Sequence, residues 1–213
     1  MNNQQLIDKL ELDGILSFNE FKQLLFTYNY QDFNYAKKRA NKITKQIFSN
    51  KIYIRGLIEI SSYCKNDCYY CGLRKSNLKA LRYRLNKEEI LLCCNEGYKL
   101  GFRTFVLQGG EDLYYDDDLM VDIIKSIRNL YPDCAITLSL GEKSKETYQK
   151  YYDAGANRYL LREETYNEEH YYMLHPREMS FKKRIECLSN LKEIGFQTGR
   201  GFMVGSYLQT IDH

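Results

Sequence analysis

Three cysteines are crowded into one short run, Ser61-Ser62-Tyr63-Cys64-Lys65-Asn66-Asp67-Cys68-Tyr69-Tyr70-Cys71-Gly72-Leu73. Thiolates are metal ligands, and C-x-x-x-C-x-x-C with polar turn formers between the first two brings three of them onto one loop. A structural zinc closes its shell with four donors. No fourth Cys or His stands at finger-like spacing here, and His170, His175 and His213 are remote in sequence. A cuboidal 4Fe-4S cluster ordinarily takes one thiolate per iron, so three thiolates leave one iron open to an external ligand. An open iron is what a cluster needs in order to bind and reduce something. A zinc-binding or purely structural loop is the plain alternative.

The chain has seven cysteines, an odd number, which argues against a full disulfide framework. Cys93 and Cys94 are neighbours on an expected helix, so they point about 100 degrees apart and cannot easily share a metal; one should face the core. Cys134 and Cys187 stand alone and read as buried small hydrophobes. Tyr is abundant at 20 residues. Tyr151, Tyr152, Tyr171 and Tyr172 read as half-buried surface packing rather than a radical relay. His175, just before Pro176, should be a loop residue.

The thiol loop needs a scaffold, and the chain offers one. Short apolar runs at 57–61, 104–108, 135–140, 158–161 and 198–204 alternate with amphipathic segments at 87–100, 117–130, 144–154 and 181–194. That is the texture of β-α units on a parallel sheet. Gly101, Gly155 and Gly195 follow helix ends, where a left-handed cap is expected. The first fifty residues read as helices: Ser17 and Glu20 form a capping box before Phe18, Phe21, Leu24 and Leu25, and a second helix covers roughly 33–48. The expected division is a helical extension over 1–50 and a core domain over 51–213. Five strands could form an open doubly wound sheet or part of a barrel. Either places chemistry at the strands' carboxyl ends, where the thiol loop and Gln108-Gly109-Gly110-Glu111-Asp112 both fall. Taken alone, Gly-Gly-Glu is as readily a plain turn.

Composition narrows the partners. Lys and Arg number 31 against 28 Asp and Glu, a net charge of +3, so there is no basic field of the kind that drives nucleic-acid binding. Apolar residues are 44%, charged residues 28%, and prolines only two, a globular composition. No window approaches about eighteen consecutive apolar residues, and the start lacks the pattern of a signal peptide. The expectation is a soluble, cytoplasmic protein with no membrane partner.

C-x-x-x-C-x-x-C after the first strand of a β/α fold resembles the radical S-adenosylmethionine enzymes. The resemblance implies a 4Fe-4S cluster on Cys64, Cys68 and Cys71, whose open iron chelates the methionine part of S-adenosylmethionine, and a TIM-like (β/α) barrel fold, here partial, of the α/β class. It places Tyr70 near the adenine, and Gly109, Gly110 and Glu111 where the family receives the methionine amino group, with Ser139 also on the cofactor. Glu164 and Arg184 have the chemistry to hold the ribose and the carboxylate; each could instead be a solvated surface charge. The implied reaction is reductive cleavage to a 5'-deoxyadenosyl radical.

Within that family the order of motifs is similar to the radical maturases that help build the di-iron site of iron-iron hydrogenases. The match runs from about Ile52 to Asp212 through Leu57-Ile58-Glu59, Cys71-Gly72-Leu73-Arg74, Val106-Leu107-Gln108-Gly109-Gly110-Glu111-Asp112, Thr137-Leu138-Ser139-Leu140-Gly141-Glu142 and Gly201-Phe202-Met203-Val204-Gly205. It implies a small-molecule or iron-complex substrate, an electron donor, other maturases as partners, and an anion-binding cavity lined by Gln108, Thr137 and Arg162. A relative of biotin synthase or methylornithine synthase is the fallback. The pattern departs in two places. Ser206-Tyr207-Leu208 stands where the family usually has Leu-Pro-Gly, and 213 residues is short of the roughly 250 of a full barrel, so a truncated, inactive fragment is the competing expectation.

Overall fold

The computed structural model describes residues 1–213 and divides into two compact units, Met1–Tyr53 and Ile54–His213. The first unit holds three helices, α1 (Asn3–Asp13), α2 (Phe18–Thr27) and α3 (Tyr30–Phe48). Each opens with a reciprocal cap. Asn2, Ser17 and Asn29 accept from the backbone three residues on, and Gln5, Glu20 and Asp32 return the bond, satisfying amides that a helix start leaves free. Polar ties join the helices: Tyr35 donates to Asp8 at 2.7 Å and Lys9 pairs with Glu20 at 2.8 Å. No helix of the structure is long and apolar enough to cross a membrane.

The second unit is a β/α array: β1 (Gly56–Ser61), α4 (Lys87–Lys99), β2 (Thr104–Gly109), α5 (Asp117–Leu130), β3 (Ala135–Ser139), α6 (Lys145–Asp153), β4 (Arg158–Leu160), α7 (Glu168–Leu174), α8 (Phe181–Ile194) and β5 (Gln197–Gly199). The strands are all parallel and lie in chain order, β1-β2-β3-β4-β5. A doubly wound sheet reverses its strand order at a switch point. This one never does, so the sheet is a sector of barrel wall.

Strand alternation sets which face is which. Ile58, Ile60, Phe105, Leu107, Ile136, Leu138 and Tyr159 are buried in one core with Ile90 and Cys94 of α4, Ile123 and Ile127 of α5, Tyr148 of α6 and Leu191 of α8. Each such side chain contributes about 1.5–3 kcal/mol by leaving water. The intervening residues face the other side: Leu57 is 56% exposed, and Glu59, Gln108 and Ser139 line a cavity there. The helical layer therefore holds the sheet, and the opposite face carries the polar groups Glu59, Gln108 and Ser139 at its carboxyl end. The expected left-handed caps are present at Gly101, Gly155 and Gly195, with φ of 90, 112 and 107°.

Two expectations need correction, and one helix was not expected. The strand expected over 198–204 ends at Gly199 and continues only as a bridge from Phe202 to Glu164. Gly199 and Gly201 offer no side chain to pack, and Phe202 and Val204 are 67% and 82% exposed, so nothing buries that segment. Tyr151 and Tyr171 are fully buried rather than half-buried, because α6 and α7 build their inward faces from tyrosine where other helices use Ile or Leu. The helix α7 itself, capped by Asn167, is too short for periodicity to reveal. Among the four remaining cysteines Cys93 is exposed, while Cys94, Cys134 and Cys187 are buried, as their spacing implies.

Truncating the core and the open face should separate them. Ile123→Ala is expected to cost about 2–5 kcal/mol and Leu57→Ala less than about 0.5 kcal/mol, read from urea midpoints. Equal losses would mean that the core lies on the wrong face of the sheet.

Candidate functional site

The carboxyl ends of β1 to β4 surround a cavity of about 380 Å³. Cys64, Cys68, Cys71, Tyr70, Gln108, Gly109, Gly110, Glu111, Ser139, Arg162, Glu164 and Arg184 all line it. Residues from the loop after β1, the ends of β2 and β3, the segment after β4 and helix α8 thus meet in one place. Thr137 is the exception. It does not line the cavity; it sits deeper on the same strand, 7% exposed, with Oγ1 lacking a hydrogen-bond partner. A larger hollow, about 690 Å³, lies at the amino ends of β3 to β5, but its Arg128 guanidinium is bound to the carbonyls of Pro132, Cys134 and Gly155. That end holds structure together.

Two glycines let the elements meet. The loop after β1 crosses directly over the end of β2, where a Cβ on Gly110 would stand 2.2 Å from Tyr63 O and 2.7 Å from Cys64 Cβ. At Gly141, with φ +74°, a Cβ would fall 2.0 Å from Glu111 Cγ. The Glu111 side chain lies in that space, accepting from Glu142 N at 3.0 Å and pairing with Lys65 at 3.2 Å. Its carbonyl accepts from Lys65 N at 3.0 Å. The register between β1 and β2 shifts between Glu59 and Ser61, an irregularity of the sort found where a strand end is re-aimed.

All three loop thiols are free and half-buried. Burial pushes the Cys64 thiol up; burial, then the neighbouring Cys64, pushes Cys68 up to about 11. Thiols so placed ionise together only when a positive centre compensates them. No three His, Cys, Asp or Glu side chains converge closely enough to hold a single metal ion. A cluster, which gives each thiolate its own iron, spreads its ligands over several corners.

Arg184 is 7% exposed, and its Nε lies 2.8 Å from Glu142 Oε1 but out of line for a hydrogen bond. Nη1 donates to Arg162 O at 3.2 Å and Nη2 is 3.8 Å from Glu111. Burial works against its charge, and the facing Glu142, Tyr171 and Glu111 more than restore it. A guanidinium on the cavity wall whose Nη2 stays 3.8 Å from the nearest carboxylate fits a ligand carboxylate. Glu164 is 8% exposed and holds a left-handed backbone, φ 63°, fixed by Gly201 O on one side and Met203 N on the other. A strained, buried carboxylate at a strand end fits ligand hydroxyls. The three thiols, Arg184 and Glu164 on one cavity wall therefore fit a cluster with an amino-acid-bearing nucleoside.

Several partners escaped the sequence reading. His175 is indeed outside a helix but is 2% exposed. Its Nδ1 lies 2.9 Å from Tyr171 O, which can only accept, so Nδ1 carries the hydrogen and Nε2 accepts from Tyr70 OH at 3.1 Å. Burial lowers its pKa to about 4, which keeps that neutral tautomer. Met179 Sδ lies 3.6 Å from Cys68 Sγ, and Glu142 faces Arg184. Only Glu142 carried a signal, as the last residue of a motif.

The Radical SAM superfamily matches residues 58–213. This chain belongs to that family. It is 41% identical to the FeFe hydrogenase maturase subunit HydE of Thermotoga maritima, over 100% of this chain and 60% of that protein. It is 31% identical to 3-methylornithine synthase of Methanosarcina acetivorans, over 89% of this chain and 54% of that protein. The crystal structure of methylornithine synthase (PylB) superposes with a TM-score of 0.86 at 30% identity, covering 97% of this chain and 61% of that one. The chain thus spans little more than half the length of these relatives. The radical SAM family in general uses a 4Fe-4S cluster and S-adenosylmethionine, and the fold is its TIM-like α/β fold.

The tight seat at Gly110 gives a contrast within the site. Gly110→Ala should destabilise the protein by about 1–3 kcal/mol, whereas Gly72→Ala, with nothing within 4 Å of its Cβ, should change the urea midpoint little. Indistinguishable midpoints would contradict the close packing of loop on strand.

Proposed function

We propose that this chain is a radical S-adenosylmethionine enzyme acting in maturation of the FeFe hydrogenase di-iron site. The observation that carries the reading is the convergence of the thiol loop, Gly109-Gly110-Glu111, Glu164 and Arg184 on one cavity at the strands' carboxyl ends. Identity of 41% along the whole chain to a hydrogenase maturase supports the choice among radical enzymes.

In this reading Cys64, Cys68 and Cys71 hold the cluster and leave its fourth iron for the cofactor. Tyr70, oriented by His175, packs against the adenine. Gly109 and Gly110 bring backbone close to the methionine portion, Glu111 accepts from its ammonium, and Ser139 adds a hydroxyl. Glu164 accepts from the ribose hydroxyls, and Arg184 takes the carboxylate. Bound together, cluster and cofactor supply reductive sulfonium cleavage and hydrogen-atom abstraction.

Gln108 and Arg162 face the remaining cavity, one neutral and one permanently cationic, and suit a small anionic substrate such as an iron complex carrying an amino-acid ligand. An electron donor and other maturases are the partners implied. Seven free cysteines suit a reducing compartment. The likeness to methylornithine synthase favours, as a second reading, an enzyme acting directly on an amino acid.

Anaerobic reconstitution tests the core of this reading. The protein should take up about four irons and four sulfides and form 5'-deoxyadenosine under reduction, and Cys68→Ala should lose both. Expression in a host lacking the maturase should restore hydrogenase activity. Bound zinc without sulfide would overturn the reading, and cofactor cleavage without restored hydrogenase would favour the amino-acid enzyme.

A further inference from the structure

Beyond the thiol loop the chain doubles back, and Arg82-Tyr83-Arg84 lies antiparallel along the end of β1. Ser62 N donates to Tyr83 O at 3.1 Å, Tyr83 N donates to Ser62 Oγ at 2.7 Å, and Ser61 forms a bridge to Arg84. None of the roles assigned above uses these residues.

The Arg82 guanidinium donates to four backbone carbonyls. Nη1 reaches Ser62 O, and Leu73 O at 2.9 Å; Nη2 reaches Arg74 O at 2.8 Å and Asn77 O at 3.2 Å. Ser62 comes just before Cys64, and Leu73 and Arg74 come just after Cys71. One planar group therefore ties the entrance of the thiol loop to its exit. Arg84 secures the same neck from the other side. It forks onto Asp112 at 2.7 and 2.9 Å, Asp112 accepts from Ser61 Oγ at 2.6 Å, and Ser61 Oγ accepts from Tyr63 N at 3.0 Å. The Tyr63 ring lies 4.0 Å from the Arg84 guanidinium and 5.9 Å from that of Arg82.

Carbonyls accept and cannot bind one another, so a turn-rich loop whose ends both present carbonyls needs a shared donor. Guanidinium has five donors in a rigid plane and can satisfy four acceptors at once; an ammonium has three on a single atom. We propose that Arg82 is a positioning residue that sets the shape of the thiol loop before any metal arrives, with Arg82-Tyr83-Arg84 as the strap closing the loop's neck. The link to metal rests on Cys64, Cys68 and Cys71 being the cluster ligands; the order of the loop does not.

The test compares wild type, Arg82→Ala and Arg82→Lys, first metal-free by amide hydrogen exchange, then after anaerobic reconstitution with iron and sulfide and challenge with a chelator. Loop amides Lys65, Tyr69 and Lys75, bonded to Glu111 O, Leu174 O and Asn66 O, should exchange about tenfold faster in both metal-free variants. Amides of β2 and β3 should be unchanged. In the reconstituted variants the cluster absorbance should decay on chelation about tenfold faster than in wild type. Wild-type loop exchange in both variants overturns the proposal. So does a Lys variant that matches wild type while the Ala variant does not, since charge without the fork would then suffice. If the Ala variant does not fold, the Lys variant carries both readouts. Should wild type take up no cluster, the ligand assignment fails, and the metal-free exchange still decides the strap.

Discussion

The site is organised by one steric constraint, the absence of space above Gly110. Parallel pairing sets Ser61 beside Gly109, so the loop leaving β1 must pass over the end of β2, and it does so in contact, with Tyr63 O where a Cβ would be. Once the loop lies there, Cys64 is fixed relative to β2. Glu111, one residue on, is directed across β3 into the space that Gly141 leaves open. A side chain at either glycine would separate groups that must act together. The helical face of the sheet tolerates volume-conserving apolar exchanges, but the backbone contact at the strand ends has no such tolerance.

Charge on the cofactor side follows from burial. Arg184 stands among Glu111 and Glu142, with Glu164 also on the cavity wall. In a partly dry pocket these charges are unevenly matched: Arg184 pairs with Glu142 at 2.8 Å but stays 3.8 Å from Glu111. Incompletely matched charges in such a pocket are costly, and a zwitterionic ligand carrying both a carboxylate and an ammonium would complement both signs. The thiol side is different in kind. There the backbone is held by neutral carbonyls and by Arg82 and Arg84, whose charges are directed at the scaffold.

Much of this was legible in the sequence where local rules govern. Strand alternation, helix caps at Gly101, Gly155 and Gly195, and the thiol spacing all report on near neighbours, and the β/α order follows from them. The cavity residues were found because their motifs match the family the chain resembles, and most of them fall at strand ends, which the topology brings together. What was missed depends on contacts distant in sequence. His175 gives no local sign that its ring will meet Tyr70. Arg82 and Arg84 resemble surface charges until the chain's return over β1 is known. The fifth strand was overestimated because Phe202 and Val204 have strand propensity, whereas both side chains stay exposed. Propensity for strands describes fit to a half-buried surface, and that surface ends at Gly199.

The central claim is that three thiolates hold a cluster whose fourth iron receives the cofactor beside Arg184 and Glu164. Electron paramagnetic resonance of the reduced, reconstituted protein with and without S-adenosylmethionine reads that iron directly. The account predicts a reduced 4Fe-4S signal that changes shape when the cofactor is added. A spectrum that is identical in the two samples, or no cluster signal at all, would contradict it.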